Sequence, residues 1–147
     1  MNIEIRSEPF DPFQEISDFQ DRMKQAGRIG AANIFIGSMR DHNEGQPVLS
    51  MELEHYPGMT EKHLAEIAES ASKKWPLIDM LILHRVGEIH VDEPIVLVAV
   101  WSAHRMAAFE ACRFIMEDLK SSAPFWKKEK TPEGDRWVEK NTPGYSS

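Results

Sequence analysis

The segment "PIVLVAVWSA", residues 94–103, decides the fold, because it contains no charged residue and its one polar side chain is Ser102. A strand with one face in water alternates apolar and polar residues, whereas a strand covered on both faces is apolar throughout. The segment is also rich in valine, a β-branched residue that favours strands. We therefore predict a central strand that is buried on both faces.

A helix is predicted directly after this strand, in "SAHRMAAFEACRFIMEDLK", residues 102–120. Apolar residues recur there at helical spacing, and charged residues fall between them. Because Cys112 lies among the apolar positions, we interpret it as a structural thiol in the core. The predicted core stripe consists of Ala108, Cys112, Ile115, Met116 and Leu119.

Alternation and helical spacing predict the other elements in the same way. The further predicted strands are "NIEIRS" (2–7), "AANIFIGS" (31–38), "VLSMELEHY" (48–56), "IDMLILHRVGEIHV" (78–91) and a hairpin of "PFWKKEK" (124–130) and "DRWVEK" (135–140). The further predicted helices run from Phe13 to Gly27 and from an N-cap at Thr60 to Pro76. Together they predict an α+β domain with a mostly antiparallel sheet, packed helices and a C-terminal β-hairpin.

Composition limits the classes of partner and cofactor. The net charge of -7 opposes general binding to nucleic acid or an anionic membrane, so any anion site must be local. No stretch approaches the roughly 20 apolar residues of a membrane helix, and the start lacks signal-peptide features, so we expect a cytoplasmic protein. A single cysteine and histidines without metal-motif spacing predict no disulfide and no metal. No cofactor is expected either. Residues 1–147 are predicted to be one domain, with 141–147 as a flexible tail.

Two basic side chains, His104 and Arg105, open the predicted third helix. Free N–H groups and the positive end of the helix dipole also point outward there, which favours a pocket for phosphate or carboxylate. Basic residues oppose the dipole at this end, so a purely structural role favours Asp or Glu instead. The two interpretations that remain are anion binding and a solvated surface pair.

A group of lysines surrounds the start of the hairpin. Lys120 ends the third helix, and strand alternation places Lys127 on the same side as Glu129, with Lys128 and Lys130 on the other side. If Lys127 shares a semi-enclosed pocket with Lys120, desolvation and like-charge repulsion lower both pKa values. The pattern alone favours the other interpretation, a solvated edge strand that lysines protect from pairing.

The remaining candidate is Arg40, in the loop "MRDHNEGQP" (39–47) between two strands, where functional residues often lie. The aromatic residues of the hairpin, Phe125, Trp126 and Trp137, are expected to anchor it and to fix the direction of Lys127.

Several long motifs carry a resemblance to a known family. In chain order they are "EHYPGMTEKHLAEIAESASKKWPL", "HRVGEI", "SAHRMAAFEACRFIMEDLK", "APFWKKE" and "TPEGDRWVE". Together they closely resemble the large, catalytic subunit of molybdopterin synthase, from Gly30 to Glu139. Residues 1–29 and the final "NTPGYSS" (141–147) lie outside the resemblance.

The resemblance implies a sulfurtransferase of molybdenum cofactor biosynthesis with an α/β-hammerhead type of fold. Such an enzyme converts cyclic pyranopterin monophosphate, also called precursor Z, into molybdopterin by installing two sulfurs as a dithiolene. The sulfur arrives as a thiocarboxylate on the C-terminal Gly-Gly of a small ubiquitin-like subunit. The implied assembly is a heterotetramer, in which a homodimer of large subunits carries one small subunit at each end.

The resemblance also implies a set of site residues. Lys120 and Lys127 are the expected catalytic residues. Ser38 stands where some relatives have a basic side chain, although its hydroxyl can still donate to phosphate. The expected substrate-binding residues are Arg40, His104, Arg105, Ser38, Met39, Lys128 and Glu129.

Other functions are compatible with the same cations. A non-catalytic anion-binding or scaffold module would hold a phosphorylated ligand without changing any bond. A stand-alone hydrolase is disfavoured, because no acid recurs beside His104 at a useful spacing and no nucleophile elbow is present.

Overall fold

The computed structural model describes residues 1–24 and 27–138, so the tail predicted at 141–147 lies outside the described residues. The strands are β1 (Asn2–Arg6), β2 (Ala31–Ser38), β3 (His42–Asn43), β4 (Gln46–Pro47), β5 (Ser50–His55), β6 (Leu77–Arg85), β7 (Gly87–His90), β8 (Pro94–Ser102), β9 (Phe125–Thr131) and β10 (Gly134–Val138). The helices are α1 (Pro12–Arg22), α2 (Met59–Lys74) and α3 (Arg105–Ser122).

The first sheet has the strand order β1-β6-β8-β2, with β8 at its centre. β8 pairs antiparallel with both β6 and β2, and β1 joins β6 in parallel. Residues 96–101 of β8 are no more than 1% exposed, which confirms the predicted central strand. The strand lacks alternation because both of its faces are covered.

Helices cover both faces of this sheet. α2 and α3 pack on one face, around a cluster that includes Leu64 and Ile115. α1 covers the other face, where the rings of Phe19 and Trp101 lie 5.2 Å apart. Burying each such side chain contributes roughly 1.5–3 kcal/mol, so these layers supply much of the folding free energy. No helix in the described residues is long and apolar enough to cross a membrane.

The second sheet has the order β10-β9-β5-β7 and packs its own apolar cluster, which includes Met51, Leu53 and Ile89. All its neighbouring strands are antiparallel, so the predicted α+β fold with a C-terminal hairpin is confirmed. The segment 78–91, predicted as one strand, is divided at Gly87 between the two sheets. Gly87 has a φ of 87°, which an L-residue with a side chain rarely adopts.

Three local predictions are wrong. The lysine strand β9 lies between β10 and β5, so it is not an edge strand. Gly58, not Thr60, is the N-cap of α2; the hydroxyl of Thr60 accepts from Tyr56 N–H at 2.9 Å and donates to Pro124 O at 3.0 Å. The third, that aromatic residues anchor the hairpin, is wrong for Trp126 and Trp137, which are about half exposed, whereas Phe125 packs against the apolar clusters of both sheets, as predicted for an anchor.

Candidate active site

A cavity of about 460 Å³ lies where the end of α3 meets the second sheet. Both of the lysines singled out by sequence, Lys120 and Lys127, line it. The structure therefore places them in one cavity, as the shared-pocket interpretation requires. The other lining residues are Met51, Leu53, His84, Ile95, Leu119, Ala123, Phe125, Trp126, Trp137 and Val138.

The two lysines meet because α3 turns directly into β9. The helix ends at Ser122, the extended C-cap Ala123 and Pro124 follow, and β9 begins at the next residue. Lys120 is in the last turn of α3, where a cation complements the helix dipole. The short connection thus brings the end of a helix and the start of a strand to the same side of the molecule.

Lys120 is exposed by its surface area, like His104 and Arg105, but it lines the cavity, where the surrounding protein replaces part of the hydration of its amine. This burial lowers its pKa below the usual 10.5, and the positive charge of Lys127 lowers that pKa further. A lysine with a lowered pKa yields a larger fraction of neutral amine near neutral pH. Lys120 is therefore suited to proton transfer or nucleophilic attack.

Lys127 is half-buried on the face of β9 that also carries Phe125 and Glu129, as alternation predicts. Burial lowers its pKa most, Glu129 opposes that shift, and the charges of Arg40 and Arg136 lower the pKa again. Arg40 is exposed in its loop, yet it acts electrostatically on Lys127. The structure thus brings the loop arginine and the strand lysine into one electrostatic environment.

His84 lines the same cavity and was not singled out as a site residue from the sequence. It is 3% exposed, and its ring stacks on Phe125 with centroids 3.9 Å apart. Its Nδ1–H donates to Arg85 O at 2.8 Å, which fixes the neutral tautomer with the proton on Nδ1. Burial lowers the pKa of His84 to about 3. The only sequence signal was one histidine within an apolar strand, and no local pattern marks it as part of a cavity.

Glu129 is buried at 3% exposure, and both of its carboxylate oxygens accept hydrogen bonds from protein donors. Arg136 Nε donates to Oε1 and Asn43 Nδ2 donates to Oε2, each at 3.1 Å. Neither residue was singled out from the sequence, because Asn43 lies 86 residues from Glu129 in the chain and Arg136 reaches Glu129 only once the hairpin pairs the two strands. The predicted substrate contact of Glu129 stays a prediction.

The predicted substrate-binding residues at the end of β2 divide by exposure. Ser38 is exposed, and Met39 is 4% exposed and packs in the core of the second sheet.

Lys128, another predicted substrate-binding residue, points to the other face of β9. Its Nζ lies 3.8 Å from Asp135 Oδ2 and 5.7 Å from the ring centre of Trp137. Lys128 is absent from the cavity lining described above.

His104 and Arg105 lie at the opposite end of α3 from Lys120. At 1.5 Å per residue, the fifteen positions between Arg105 and Lys120 span about 22 Å. Both side chains are exposed, and the first turn of α3 contains no acidic residue. Within one chain, the structure therefore does not bring these residues to the lysine cavity.

The remaining chemical candidates have structural explanations. Cys112 is 3% exposed, and burial raises the pKa of its thiol to about 11, so it is not a reactive thiolate near neutral pH. Its position in the core of α3 confirms the prediction. Within residues 1–24 and 27–138, no group of three or more His, Cys, Asp or Glu side chains has a metal-binding arrangement.

Comparisons of family, sequence and structure agree on one family. The family model described as "MoaE protein" matches residues 5–122. The molybdopterin synthase catalytic subunit of Pseudomonas aeruginosa is 52% identical over 139 residues, which cover 95% of this chain and 91% of that protein. The MoaE protein structure from Burkholderia ambifaria has a TM-score of 0.79 at 46% identity, covering 97% of this chain and 92% of that one. A molybdopterin synthase crystal structure from Staphylococcus aureus has a TM-score of 0.81 at 33% identity, covering 92% and 96%.

Proposed function

This chain belongs to the MoaE family, and we propose that it is the catalytic subunit of a molybdopterin synthase. In this proposal it transfers sulfur from the C-terminal thiocarboxylate of a small ubiquitin-like subunit to cyclic pyranopterin monophosphate, forming the dithiolene of molybdopterin. The observation that carries the proposal is the pair of lysines, from a helix and a strand, in one cavity. The buried Cys112 fits a sulfur donor that belongs to the partner.

The cavity suits a reaction between two anions. A thiocarboxylate and a phosphorylated pterin repel each other in water, and cations from Lys120, Lys127 and Arg40 reduce that repulsion. The lowered pKa values of the two lysines allow one amine to accept a proton while the other stays an ammonium. We assign Lys120 to the incoming thiocarboxylate and Lys127 to the pterin.

A second copy of the chain completes the phosphate site in this proposal. His104 and Arg105 lie about 22 Å along α3 from Lys120, too far to hold the same small substrate from the same chain. Beside them, Met106 and Phe109 are 66% and 60% exposed, which is the kind of apolar surface that a partner covers. In a homodimer, these two basic residues reach the lysine cavity of the other protomer.

Reconstitution tests the reaction. The purified chain is mixed with a thiocarboxylated small subunit and precursor Z, and molybdopterin is measured after oxidation to its fluorescent derivative. Product formation that needs all three components is expected. Binding of precursor Z without any product supports a scaffold module and overturns the proposal.

Complementation tests the shared site. Lys127→Ala homodimers are expected to be nearly inactive, and so are Arg105→Ala homodimers when precursor Z is well below their raised KM. When they are exchanged into mixed dimers, one of the two cavities regains a complete set of residues, so partial activity returns. If mixing restores nothing although mixed dimers form, His104 and Arg105 do not act across the interface.

A further inference from the structure

A network of three polar side chains joins the loop that carries Arg40 to the hairpin that carries Lys127. Asn43 Nδ2 donates to Glu129 Oε2 at 3.1 Å, and Arg136 Nε donates to Glu129 Oε1 at the same distance. Arg136 Nη2 lies 3.0 Å from Glu129 Oε1 and donates to Asn43 O at 3.4 Å. The three residues form a closed triangle, which we call the Glu129 clamp.

Burial explains why this triangle holds its shape. Glu129 is the one acidic residue among the buried residues of the described chain. A buried carboxylate is costly unless it is paired and hydrogen-bonded, so Glu129 stabilises only those conformations that keep Arg136 and Asn43 in place. The clamp is therefore a constraint on the loop as well as on the hairpin.

The loop between β2 and β5 is held on both sides of Arg40. On one side, Met39 N–H donates to Glu93 O at 3.0 Å and Met39 O accepts from Asp92 N–H at 2.9 Å. On the other side, three residues beyond Arg40, Asn43 enters the clamp. Arg40 thus projects from a short segment that is fixed at both ends.

The clamp also determines where that segment lies relative to the catalytic strand. Glu129 is two residues after Lys127 on the same face of β9, so the loop is attached beside Lys127. The charge of Arg40 lowers the pKa of Lys127, which is consistent with a guanidinium held close to this amine. Releasing the Asn43 side chain from Glu129 leaves Arg136 Nη2 on Asn43 O and the backbone bond from Leu49 N–H to Lys130 O, so it loosens the loop around Arg40 without detaching it.

We propose that Asn43 and Arg136 are positioning residues that act through Glu129 to hold Arg40 beside Lys127 in the anion site. The proposal rests on the function given above for Arg40 and Lys127. Placing a cation before the substrate arrives avoids the cost of ordering the loop on binding, so the clamp acts mainly on substrate affinity.

Asn43→Ala tests the proposal kinetically, because it removes one donor without changing any charge. We expect KM for precursor Z to rise by about tenfold, in line with a lost hydrogen bond to a charged group, while kcat changes less than about threefold. In an Arg40→Ala background, Asn43→Ala is expected to have no further effect on KM. Lys130→Ala, on the opposite face of the same strand, is the control and is expected to leave both constants unchanged. Full additivity of Asn43→Ala and Arg40→Ala overturns the proposal.

A second measurement needs no turnover. The pKa of Lys127, followed by NMR of labelled lysine side chains, is set by burial and by Glu129, Arg40, Arg136 and Glu44, with Lys120 in the same cavity. If Asn43→Ala releases the loop, Arg40 moves away and the pKa of Lys127 rises toward its usual value. Arg136→Lys keeps the positive charge but loses the guanidinium that contacts both Glu129 and Asn43 O, so the pKa of Lys127 is expected to rise in this variant too. If both variants fold and the pKa of Lys127 is unchanged in each, the proposal is overturned. If the pKa of Lys127 shifts but the original chain shows no synthase activity in the reconstitution, only the proposed function is rejected.

Discussion

The two ends of α3 carry the same kinds of charge in different surroundings. At its C-terminal end, Lys120 lines a cavity with Lys127, and burial lowers the pKa of both amines. At its N-terminal end, His104 and Arg105 are exposed to solvent. One end gathers its cations in a cavity of its own chain, whereas the other presents its cations outward.

This difference teaches how one helix can serve two sites. Cations that change protonation state during a reaction need a partly desolvated environment, which the chain builds around the lysines. Cations that only hold a phosphate need accessible donors and the positive end of a helix dipole. The four predictions below test whether the two ends act in these different ways.

The largest expected effect is on turnover. Lys120→Ala and Lys127→Ala are each expected to reduce kcat by about 10²–10⁴-fold, the usual contribution of a positioned acid or base. Arg105→Ala is expected to act mostly through KM. Steady-state kinetics of all three variants in the reconstituted synthase provide the comparison. Near-normal turnover in both lysine variants contradicts the assignment of catalysis to this end.

The next effect is on the stability contributed by His84, which lines the lysine cavity at the C-terminal end of α3. Between pH 6.5 and about 3, the unfolded chain protonates His84 while the folded chain does not, so the free energy of unfolding falls as pH falls through this window. The loss from this residue is on the order of 4 kcal/mol by pH 3. His84→Phe keeps a ring against Phe125 but cannot titrate. Urea unfolding from pH 7 to pH 3 is expected to show a smaller loss in the variant, and parallel curves contradict this.

A smaller effect is the response of Lys120 to its neighbour. Lys127→Ala removes a like charge from the cavity, so the pKa of Lys120 is expected to rise. Arg105→Ala lies at the far end of α3 and is expected to leave that pKa unchanged. NMR titration of labelled lysine side chains measures both. If the pKa of Lys120 shifts equally in the two variants, the two ends of α3 do not differ electrostatically in the way described.

The smallest effect is a gain in stability at the exposed end. The first turn of α3 has no acidic residue, so Arg105→Glu places a favourable charge near the positive end of the helix dipole. We expect stability to increase by about 0.3–1 kcal/mol in denaturant unfolding at low salt, while KM for the substrate rises. A loss of stability indicates that Arg105 has a structural role instead.

Sequence patterns predicted the first sheet and its helices well, because burial there is periodic. β8 lacks alternation since it is covered on both faces, and the α3 stripe repeats at helical spacing. The division of segment 78–91 between two sheets was missed, because one residue, Gly87, makes the break inside an otherwise continuous strand pattern.

The sequence identified the cations of the candidate site but not the residues that hold them in place. Lys120 and Lys127 were singled out because they lie close together in the chain, although the pattern alone favoured a solvated edge strand, and their expected catalytic role came from the family resemblance. The Glu129 clamp was missed because Asn43 and Glu129 lie 86 residues apart, and no local pattern marks such a pair. His84 was also missed, since a cavity next to a strand has no periodic signal.

The sequence by itself determined the central strand, the apolar stripe of α3, the local cluster of lysines and the family. These are short-range features, because side-chain periodicity and motif order are written along the chain. Only the tertiary structure decided that β9 is an interior strand, that the two lysines share a cavity, and that His104 and Arg105 lie away from it. Those outcomes depend on contacts between distant segments, where burial and charge act on residues that the chain order does not bring together.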